Sequence, residues 1–287
     1  MRRFSLALHR IGLSGKLHRQ EPPVALTVAT WNINSVRLRI DLVCRLLQQA
    51  QPDVLCLQET KSPDEFFPAT AFESLGYRHL LRHGMKGYNG VAIASRVPIQ
   101  APRTRSWCDR EDCRHGMVTL PGGIELHNFY VPAGGDIPDP EANPKFAHKL
   151  QFLDEITAWF EEESPHRGKA ILVGDLNIAP LETDVWSHKQ LLTVVSHTPV
   201  EVARLAKLQK AGGFVDAVRH VIPPEQKLYT WWSYRAHDWL ASNRGRRLDH
   251  IWVTPALVPS IRTAEVLQEA RGWERGSDHV PVILRLE

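Results

Sequence analysis

The segment Pro52-Asp53-Val54-Leu55-Cys56-Leu57-Gln58-Glu59-Thr60-Lys61 sets an apolar run directly before a polar and charged one. A continuous apolar run bounded in this way predicts a short strand that is buried on both faces. Glu59 then lies where the strand leaves the core, and a carboxylate there is costly unless it binds or pairs with a cation. That cation could be a metal ion or the ammonium group of Lys61, and this segment alone does not decide between them.

Other polar motifs lie at the ends of further strand-like apolar runs. They are Trp31-Asn32-Ile33-Asn34, Asn128-Phe129-Tyr130-Val131-Pro132, Gly174-Asp175-Leu176-Asn177, Arg247-Leu248-Asp249-His250 and Ser277-Asp278-His279. Because the motifs are far apart in the chain, none of them forms a site alone. If the strand ends converge, the motifs bring carboxylates, amides and an imidazole around one point. Such a set suits a hard divalent cation and an activated water.

Ordinary structural roles compete with a catalytic role at each motif. Asp175 and Asn177 would point the same way in an extended chain, but Asp and Asn also favour turns and helix N-caps. Asp249 could orient His279, as carboxylates do for catalytic histidines, or it could pair with a neighbouring arginine. Tyr130 could donate to a phosphate or simply pack. The joint occurrence of the motifs in this order favours the catalytic interpretation.

Length and composition are those of an ordinary globular protein. The 287 residues are 43% hydrophobic and 23% charged, which allows a substantial core in one large domain or two small ones. No apolar run is long enough to span a membrane. The four cysteines show no zinc-ligand spacing, and we expect reduced thiols in a cytosolic protein.

Basic residues are concentrated at the start of the chain. Residues 1–23 contain five Lys or Arg and one Glu, which leaves 30 basic and 31 acidic residues in the remainder. Bulk charge therefore does not imply a nucleic-acid ligand, and any basic surface must be local. The segment lacks the apolar run of a secretory signal, although a mitochondrial transit peptide would share its composition. We expect a frayed, disordered basic tail over residues 1–23 and a single domain over residues 24–287.

Apolar periodicity alternates between strand and helix from residue 24 onward. Strands are predicted at residues 24–31, 54–57, 91–94, 117–120, 124–130, 170–173, 248–253 and 280–286, the last two as a pair. Helices are predicted at residues 39–49, 66–75, 146–160 and 200–210. This order favours one α/β domain with mixed, largely antiparallel sheets.

An aromatic cluster, Tyr229-Thr230-Trp231-Trp232-Ser233-Tyr234-Arg235, precedes several arginines between residues 244 and 247. Aromatic faces beside guanidinium groups can stack on bases or sugars and neutralise phosphates. Alternate aromatic residues can equally well pack a sheet. We expect both outcomes, with some rings buried and at least one lining a binding face.

Three of these segments together resemble the exonuclease III class of AP endonucleases, within the endonuclease/exonuclease/phosphatase superfamily. Residues 52–61 are similar to the first signature of the class, residues 216–220 with 229–232 to the middle one, and residues 243–249 to the last. The similarity runs from about residue 28 to the end of the chain. It implies a four-layered αββα sandwich, in which two packed mixed β-sheets are flanked by helices, with the site at one sheet edge.

The resemblance also implies roles for individual residues. The catalytic set is Tyr130, Asp175, Asn177, Asp249 and His279. The metal set is Asn32, Glu59, Asp175, Asn177, Asp278 and His279, for Mg²⁺ with Mn²⁺ as a substitute. The DNA-binding set is Lys61, Trp231, Arg244, Arg246 and His279, with Trp231 facing a flipped-out abasic sugar.

The function implied is that of a monomeric, cytoplasmic base-excision-repair nuclease without membrane association. It would incise double-stranded DNA on the 5′ side of abasic sites and remove 3′ nucleotides or 3′-blocking groups. The alternatives are another phosphodiesterase or phosphatase of the superfamily and a non-catalytic nucleic-acid-binding relative.

The sequence departs from the family pattern at two positions. Ala133 stands after Tyr130-Val131-Pro132, where many members carry Asn or Gln, and Ser35 follows Asn34 in place of the usual Gly. The glycines after Ala133 could supply backbone donors in place of the lost side chain, or binding of the transition state could be weaker. Neither change removes a metal ligand.

Overall fold

The computed structural model describes residues 25–163, 168–236 and 238–287, so the tail predicted at residues 1–23 lies outside the described residues. The strands are β1 (Leu26–Asn32), β2 (Val54–Gln58), β3 (His79–His83), β4 (Val91–Ser95), β5 (Gln100–Thr104), β6 (His115–Leu120), β7 (Ile124–Tyr130), β8 (Ala170–Asp175), β9 (Val215–Asp216), β10 (Trp231–Trp232), β11 (Gly245–Arg246), β12 (Asp249–Val253), β13 (Ile261–Val266) and β14 (Val282–Leu286). The α-helices are α1 (Ile40–Gln49), α2 (Ala69–Ser74), α3 (Pro144–Glu163), α4 (His188–Leu191), α5 (Pro199–Ala211), α6 (Ala217–Val221) and α7 (Trp239–Ser242).

Most of the strands form two mixed sheets of six strands each. The first sheet has the order β13-β14-β1-β2-β4-β3, and the second has the order β5-β6-β7-β8-β12-β9. Each has one parallel pair at its centre, β1 with β2 and β7 with β8, and its remaining pairs are antiparallel. The short ribbon β10-β11 stands apart from both sheets.

The apolar side chains divide into layers because alternate residues of a strand face opposite sides of its sheet. A buried cluster that includes Val28, Val54, Leu126 and Ile171 fills the space between the sheets. The outer face of the first sheet packs on α1 and α2, and that of the second packs on α3 and α5. The order helix, sheet, sheet, helix is the four-layered sandwich implied by the resemblance, so the predicted fold class is confirmed.

The structure corrects two expectations about individual elements. The strands predicted near residues 248–253 and 280–286 both form, but they do not pair, because β12 lies in the second sheet and β14 in the first. The helix predicted at residues 66–75 is shortened to α2, and Asp64–Phe66 forms a separate 3₁₀ turn. Pro68 explains the break, since proline is not tolerated inside a helix.

No helix among the described residues is long and apolar enough to cross a lipid bilayer.

Candidate active site

The candidate site lies at the edge where the central parallel pair of each sheet ends. In the first sheet, Asn32 ends β1 beside the last residue of β2, which is followed by Glu59. In the second sheet, Asp175 ends β8 between Tyr130 on β7 and Asp249 on β12. Because parallel strands end at a common edge, residues from distant parts of the chain meet there.

The Asn32 side chain joins the two sheets. Its Nδ2 group donates to Glu59 Oε1 and to Asp175 Oδ2, both at 2.9 Å, and Asn32 is fully buried. Its Oδ1 atom accepts from the backbone N–H of Asn34 at 3.1 Å. One amide therefore sets the separation of two carboxylates that lie on different sheets.

Glu59 has polar partners on both of its carboxylate oxygens. Tyr130 donates its phenolic hydrogen to Oε1 at 2.8 Å, and Lys61 Nζ lies 2.8 Å from Oε2. Burial alone would raise the pKa of Glu59, but Lys61 and the Asn32 amide outweigh it and lower the pKa. The ion pair with Lys61, one of the two sequence alternatives, is therefore present, and it keeps Glu59 ionised beside the cleft.

Tyr130 is placed to act as a hydrogen-bond donor. Its ring is buried, and burial together with the charges of Glu59 and Asp175 raises the pKa of its phenol well above the usual value. The guanidinium group of Arg114 lies 4.8 Å from the ring centroid, a cation–π contact that fixes the ring. The phenol therefore stays protonated at neutral pH.

Asp175 and Asn177 form one compact unit after β8. Asn177 donates its backbone N–H to Asp175 Oδ1 at 2.9 Å, and its side-chain Nδ2 to Asp175 Oδ2 at 3.1 Å and Val131 O at 2.9 Å. Asn177 adopts a left-handed conformation with φ of 54°, which Asn tolerates better than most residues. Gly174 lets β8 pass close to β7, since a Cβ at Gly174 would lie 1.9 Å from Phe129 O.

A second chain of contacts holds His279. Its Nδ1 lies 2.8 Å from Asp249 Oδ2, and Thr230 Oγ1 donates to the same oxygen at 2.6 Å. His279 Nε2 is 3.7 Å from Asp175 Oδ2, so the imidazole stands between two carboxylates. Asp249 thus contacts His279 as the sequence led us to expect. Of the two alternative partners, Arg247 pairs with Asp184 and Asp216, and Arg246 donates to Val195 O and Ser196 Oγ.

The buried charged groups around His279 shift one another's pKa values. Burial raises the pKa of Asp175 to about 7, against the opposing effect of His279 and with the help of Asp249 and Glu59. Burial acts in the opposite sense on His279, but Asp249 and Asp175 outweigh it and raise the pKa of the imidazole to about 10. His279 is consequently an imidazolium at neutral pH, held by carboxylates on both nitrogens.

Asp278 lies on the wall of the cleft rather than in the His279 chain. Trp231 donates its indole N–H to Asp278 Oδ2 at 3.0 Å, and Asn34 donates its side-chain amide to Oδ1 at 3.1 Å. Asn34 also accepts from Lys61 Nζ at 2.7 Å. Sequence reasoning gave Asn34 no role, although its position two residues after Asn32 on the same strand end was the available signal.

A cleft of about 650 Å³ opens over these residues. Its lining includes Glu59, Ala133, Asn177, Trp231, Arg244, Arg246, Leu248, Asp278 and His279. Trp231 is half-buried and faces the cleft, whereas Trp232 and Tyr229 are buried, so the aromatic cluster divides as expected.

The two predicted DNA-binding arginines differ in their surroundings. Arg244 is exposed, with its guanidinium 4.7 Å from the ring centroid of Trp186. Arg246 is half-buried over the Trp231 ring, and its Nη1 donates to Val195 O at 2.9 Å and Ser196 Oγ at 2.8 Å. Arg246 therefore fixes one wall of the cleft instead of reaching freely into solvent.

The donor set at this edge fits a hard divalent cation. Glu59 and Asp278 supply carboxylate oxygens to the cleft, and oxygen donors suit both Mg²⁺ and Mn²⁺. Asp175, Asp249 and His279 also present ligand atoms within 4.8 Å of one another. In that cluster Asp249 Oδ1 is buried without a hydrogen-bond partner among the described residues, as expected of an oxygen that faces a cation or water.

Comparison with known proteins finds relatives over most of the chain. A model of the endonuclease/exonuclease/phosphatase family matches residues 29–279. Exodeoxyribonuclease III of Haemophilus influenzae is 31% identical over 265 residues, which cover 88% of this chain and 97% of that protein.

Solved structures agree with the sequence comparison. An AP endonuclease from Archaeoglobus fulgidus matches with a TM-score of 0.84 and 32% identity, over 91% of this chain and 99% of its own. A 3′ phosphatase from Neisseria, solved with a product DNA hairpin, matches with a TM-score of 0.85 and 34% identity, over 92% of this chain and 100% of its own.

Proposed function

Because the chain belongs to the endonuclease/exonuclease/phosphatase family, we propose that it is a metal-dependent DNA-repair nuclease of the exonuclease III type. Its substrates are abasic duplex DNA, incised on the 5′ side of the lesion, and duplex ends from which it removes 3′ nucleotides or 3′-blocking groups. The observation that carries this proposal is the Asn32 bridge, which holds Glu59 and Asp175 on either side of one amide. The similarity to an exodeoxyribonuclease III, an AP endonuclease and a 3′ phosphatase supports this substrate range.

The metal, Mg²⁺ with Mn²⁺ as a substitute, is assigned to the oxygen-rich side of the cleft. Glu59 is the principal ligand, and Asn32, Asp175, Asn177 and Asp278 complete the proposed metal set. His279, which the resemblance also put in that set, is assigned to the phosphate instead, because a protonated imidazole has no lone pair for a cation. When bound, the cation polarises the phosphate and neutralises charge that develops on the 3′-oxygen leaving group. The lowered pKa of Glu59 supports its assignment, because an ionised carboxylate is the form that binds metal.

Asp175 is proposed to orient the attacking water and accept its proton. It lies at the end of β8 beside the cleft, and a carboxylate held there by Asn32 and Asn177 can accept a proton from a water in the cleft. The Asn177 amide beside it is proposed to turn the hydrogen that it donates to Asp175 Oδ2 toward the phosphate as negative charge builds.

His279 is proposed to bind the phosphate as a cation. Its raised pKa keeps the imidazole protonated, and Asp249 holds the ring through Nδ1 so that Nε2 faces the site. An imidazolium suits an anionic phosphate better than it suits a general base, so we assign the base role to Asp175. Tyr130, whose phenol remains protonated, is placed to donate a hydrogen bond to the phosphate or the leaving oxygen.

The DNA contacts are assigned to the cleft rim. Trp231 offers an aromatic face to an abasic sugar, Arg244 is exposed for a backbone phosphate, and Arg246 packs on the Trp231 ring. Lys61 has one ammonium hydrogen left for a phosphate beside its contacts to Glu59 and Asn34. Since bulk charge is near neutral, affinity should depend on these few contacts and fall as salt rises, with a slope set by their number.

The oligomeric state and location complete the proposal. We propose a monomer of one domain over residues 24–287 that acts in the cytoplasm. All four cysteines are free thiols, which agrees with a reducing compartment. Light scattering of the purified protein would test the monomer, since a mass of about twice that of the chain would exclude it.

The test of the function is cleavage of a labelled duplex that carries one abasic site, with Mg²⁺ and with EDTA. A duplex with a 3′-phosphate and an intact duplex run in parallel. We expect metal-dependent incision at the lesion and removal of the 3′-phosphate. Asp175→Asn, which keeps the shape of the side chain, should lower the rate by at least about 100-fold. Failure of the wild type on all three duplexes, or equal cleavage by Asp175→Asn, would overturn the proposal.

A further inference from the structure

Lys149 on α3 and Glu201 on α5 form an ion pair inside the protein. Lys149 Nζ lies 2.5 Å from Glu201 Oε1, and both side chains are 0% exposed. Removing two charges from water costs as much as their attraction returns, so a buried pair is seldom more stable than apolar side chains of the same size. The Lys149–Glu201 pair therefore calls for a role other than stability.

Lys149 has two further acceptors, and both belong to loops at the candidate active site. Its Nζ donates to Asn177 O at 2.8 Å and to Ala133 O at 3.3 Å. Asn177 is in the left-handed conformation, and Asp175 fixes its N–H while Lys149 fixes its carbonyl. The ammonium group thus determines which way the Asn177 peptide, and with it the Asn177 side chain, is turned.

The loop at Ala133 packs against the aliphatic part of the Lys149 side chain. Gly134 has φ of 90°, and a Cβ there would lie 2.9 Å from Lys149 Cδ and 3.1 Å from Val195 Cγ1. Only glycine lets the backbone approach this closely. The glycine after Ala133 therefore serves contact with Lys149, in a loop whose sequence departs from the family pattern.

Glu201 links the ion pair to the wall of the cleft that Arg246 and Trp231 form. Its carboxylate accepts the backbone N–H of Ser196 at 2.9 Å, in addition to the Thr198 contacts that cap α5. Ser196 Oγ in turn accepts from Arg246 Nη1 at 2.8 Å, and Arg246 lies over Trp231. A helix cap alone would not require the contacts to Ser196 and Lys149.

We infer that the Lys149–Glu201 pair is a positioning element that fixes Asn177 and the Arg246–Trp231 wall of the cleft relative to each other. Neither residue touches the substrate; each acts through the residues that it holds. The inference rests on the proposed function for the meaning of Asn177, and it assigns to the pair a part in aligning the substrate phosphate with the reaction centre.

The test begins with Lys149→Met, which keeps the length of the side chain and removes its donors. With a labelled duplex that has a recessed 3′ end, we expect kcat to fall by about 100-fold, the effect of a misplacement near 1 Å. KM should stay close to that of the wild type, because the contacts to DNA at the rim are not removed. Urea unfolding of the same sample measures the loss of stability separately.

A second variant separates positioning from stability. Lys149→Met combined with Glu201→Gln removes both charges, so stability should recover relative to the single variant because no buried carboxylate is left unpaired. The Gln oxygen can still accept from Ser196 and Thr198, but Asn177 O and Ala133 O still lack a donor. We expect stability to return and kcat to remain low; recovery of kcat together with stability would overturn the inference.

Arg219→Met is the matched control. Arg219 also forms a buried ion pair, with Asp184 at 2.6 Å, but its other acceptors are Pro223 O, Gln226 O and Thr183 Oγ1, outside the cleft. It should lose stability while kcat is unchanged, and an equal loss of kcat would contradict the positioning role. If the wild type cleaved no DNA, the proposed function would fail but the side-chain amide NMR signal of Asn177 should still shift in Lys149→Met. An unshifted signal would overturn the inference itself.

Discussion

Replacement of Asn177 separates its side-chain chemistry from its backbone conformation. Asn177→Ala removes the amide that donates to Val131 O and Asp175 Oδ2, at about 1 kcal/mol for each net hydrogen bond. It also places alanine at φ of 54°, which costs roughly 1–2 kcal/mol. The free energy of unfolding should therefore fall by about 3–4 kcal/mol.

Asn177→Gly loses the same amide without the conformational penalty. It should be more stable than Asn177→Ala by roughly 1 kcal/mol, because glycine adopts positive φ freely. Activity should not follow this difference. Both variants lack the donor proposed to stabilise the phosphate, so both should lose about 10²–10³-fold in kcat.

Two measurements on the same samples decide the matter. Urea unfolding followed by tryptophan fluorescence gives stability, and steady-state release of 3′ nucleotides from a duplex with a recessed end gives kcat. The reasoning is refuted if Asn177→Gly recovers activity in step with its stability, since Asn177 would then act only through the shape of the backbone.

The remaining predictions concern acid stability, DNA affinity and packing around the site. Burial, with a smaller effect of Arg247, lowers the pKa of His250 to about 4, so its unfolded form gains a proton first as pH falls below about 6.5. This group should lower the free energy of unfolding by about 3 kcal/mol between pH 6.5 and 4. In His250→Gln the free energy of unfolding, measured by urea denaturation at each pH, should fall less over that window, and an equal fall in wild type and variant would contradict this. Trp231→Ala should raise the Kd for abasic duplex in EDTA by about tenfold through lost stacking, measured by fluorescence anisotropy, whereas Trp231→Phe should retain most of the affinity. Gly134→Ala should lower the Tm of the protein more than Gly76→Ala does. The two glycines have nearly the same positive φ, but only at Gly134 would the added Cβ lie close to another side chain, so equal losses of Tm would refute the contact.

The elements that the sequence predicted best are those with strong local patterns. The apolar run before Glu59 forms β2, and the amphipathic stretch at residues 146–160 forms the centre of α3. The polar motifs at strand ends are also visible locally, and the structure brings several of them together at one edge, although their roles stay predictions. Sheet membership was not predictable in this way, since the apolar runs of β12 and β14 look alike and only long-range packing assigns them to different sheets.

The contacts that join the site to its surroundings were also beyond local patterns. Lys149 stands three residues after Phe146 and four before Leu153, on the apolar side of α3, and a lysine at such a position was the signal available for a buried charge. Glu201 was hidden because Thr198 and Glu201 fit an ordinary helix capping box. Arg246 looked like a free cation because sequence gives no indication that Val195 and Ser196 lie against it.

The most direct test of the central claim measures Mn²⁺ binding and DNA cleavage on the same samples of wild type and Glu59→Gln. Electron paramagnetic resonance reports the bound ion, and cleavage of the abasic duplex reports its use. The account predicts that Glu59→Gln remains folded, loses the Mn²⁺ bound by the wild type and loses cleavage with it. Cleavage that persists after Mn²⁺ binding is lost, or wild-type Mn²⁺ affinity in the variant, would show that the edge carrying Glu59 is not the metal centre of this nuclease.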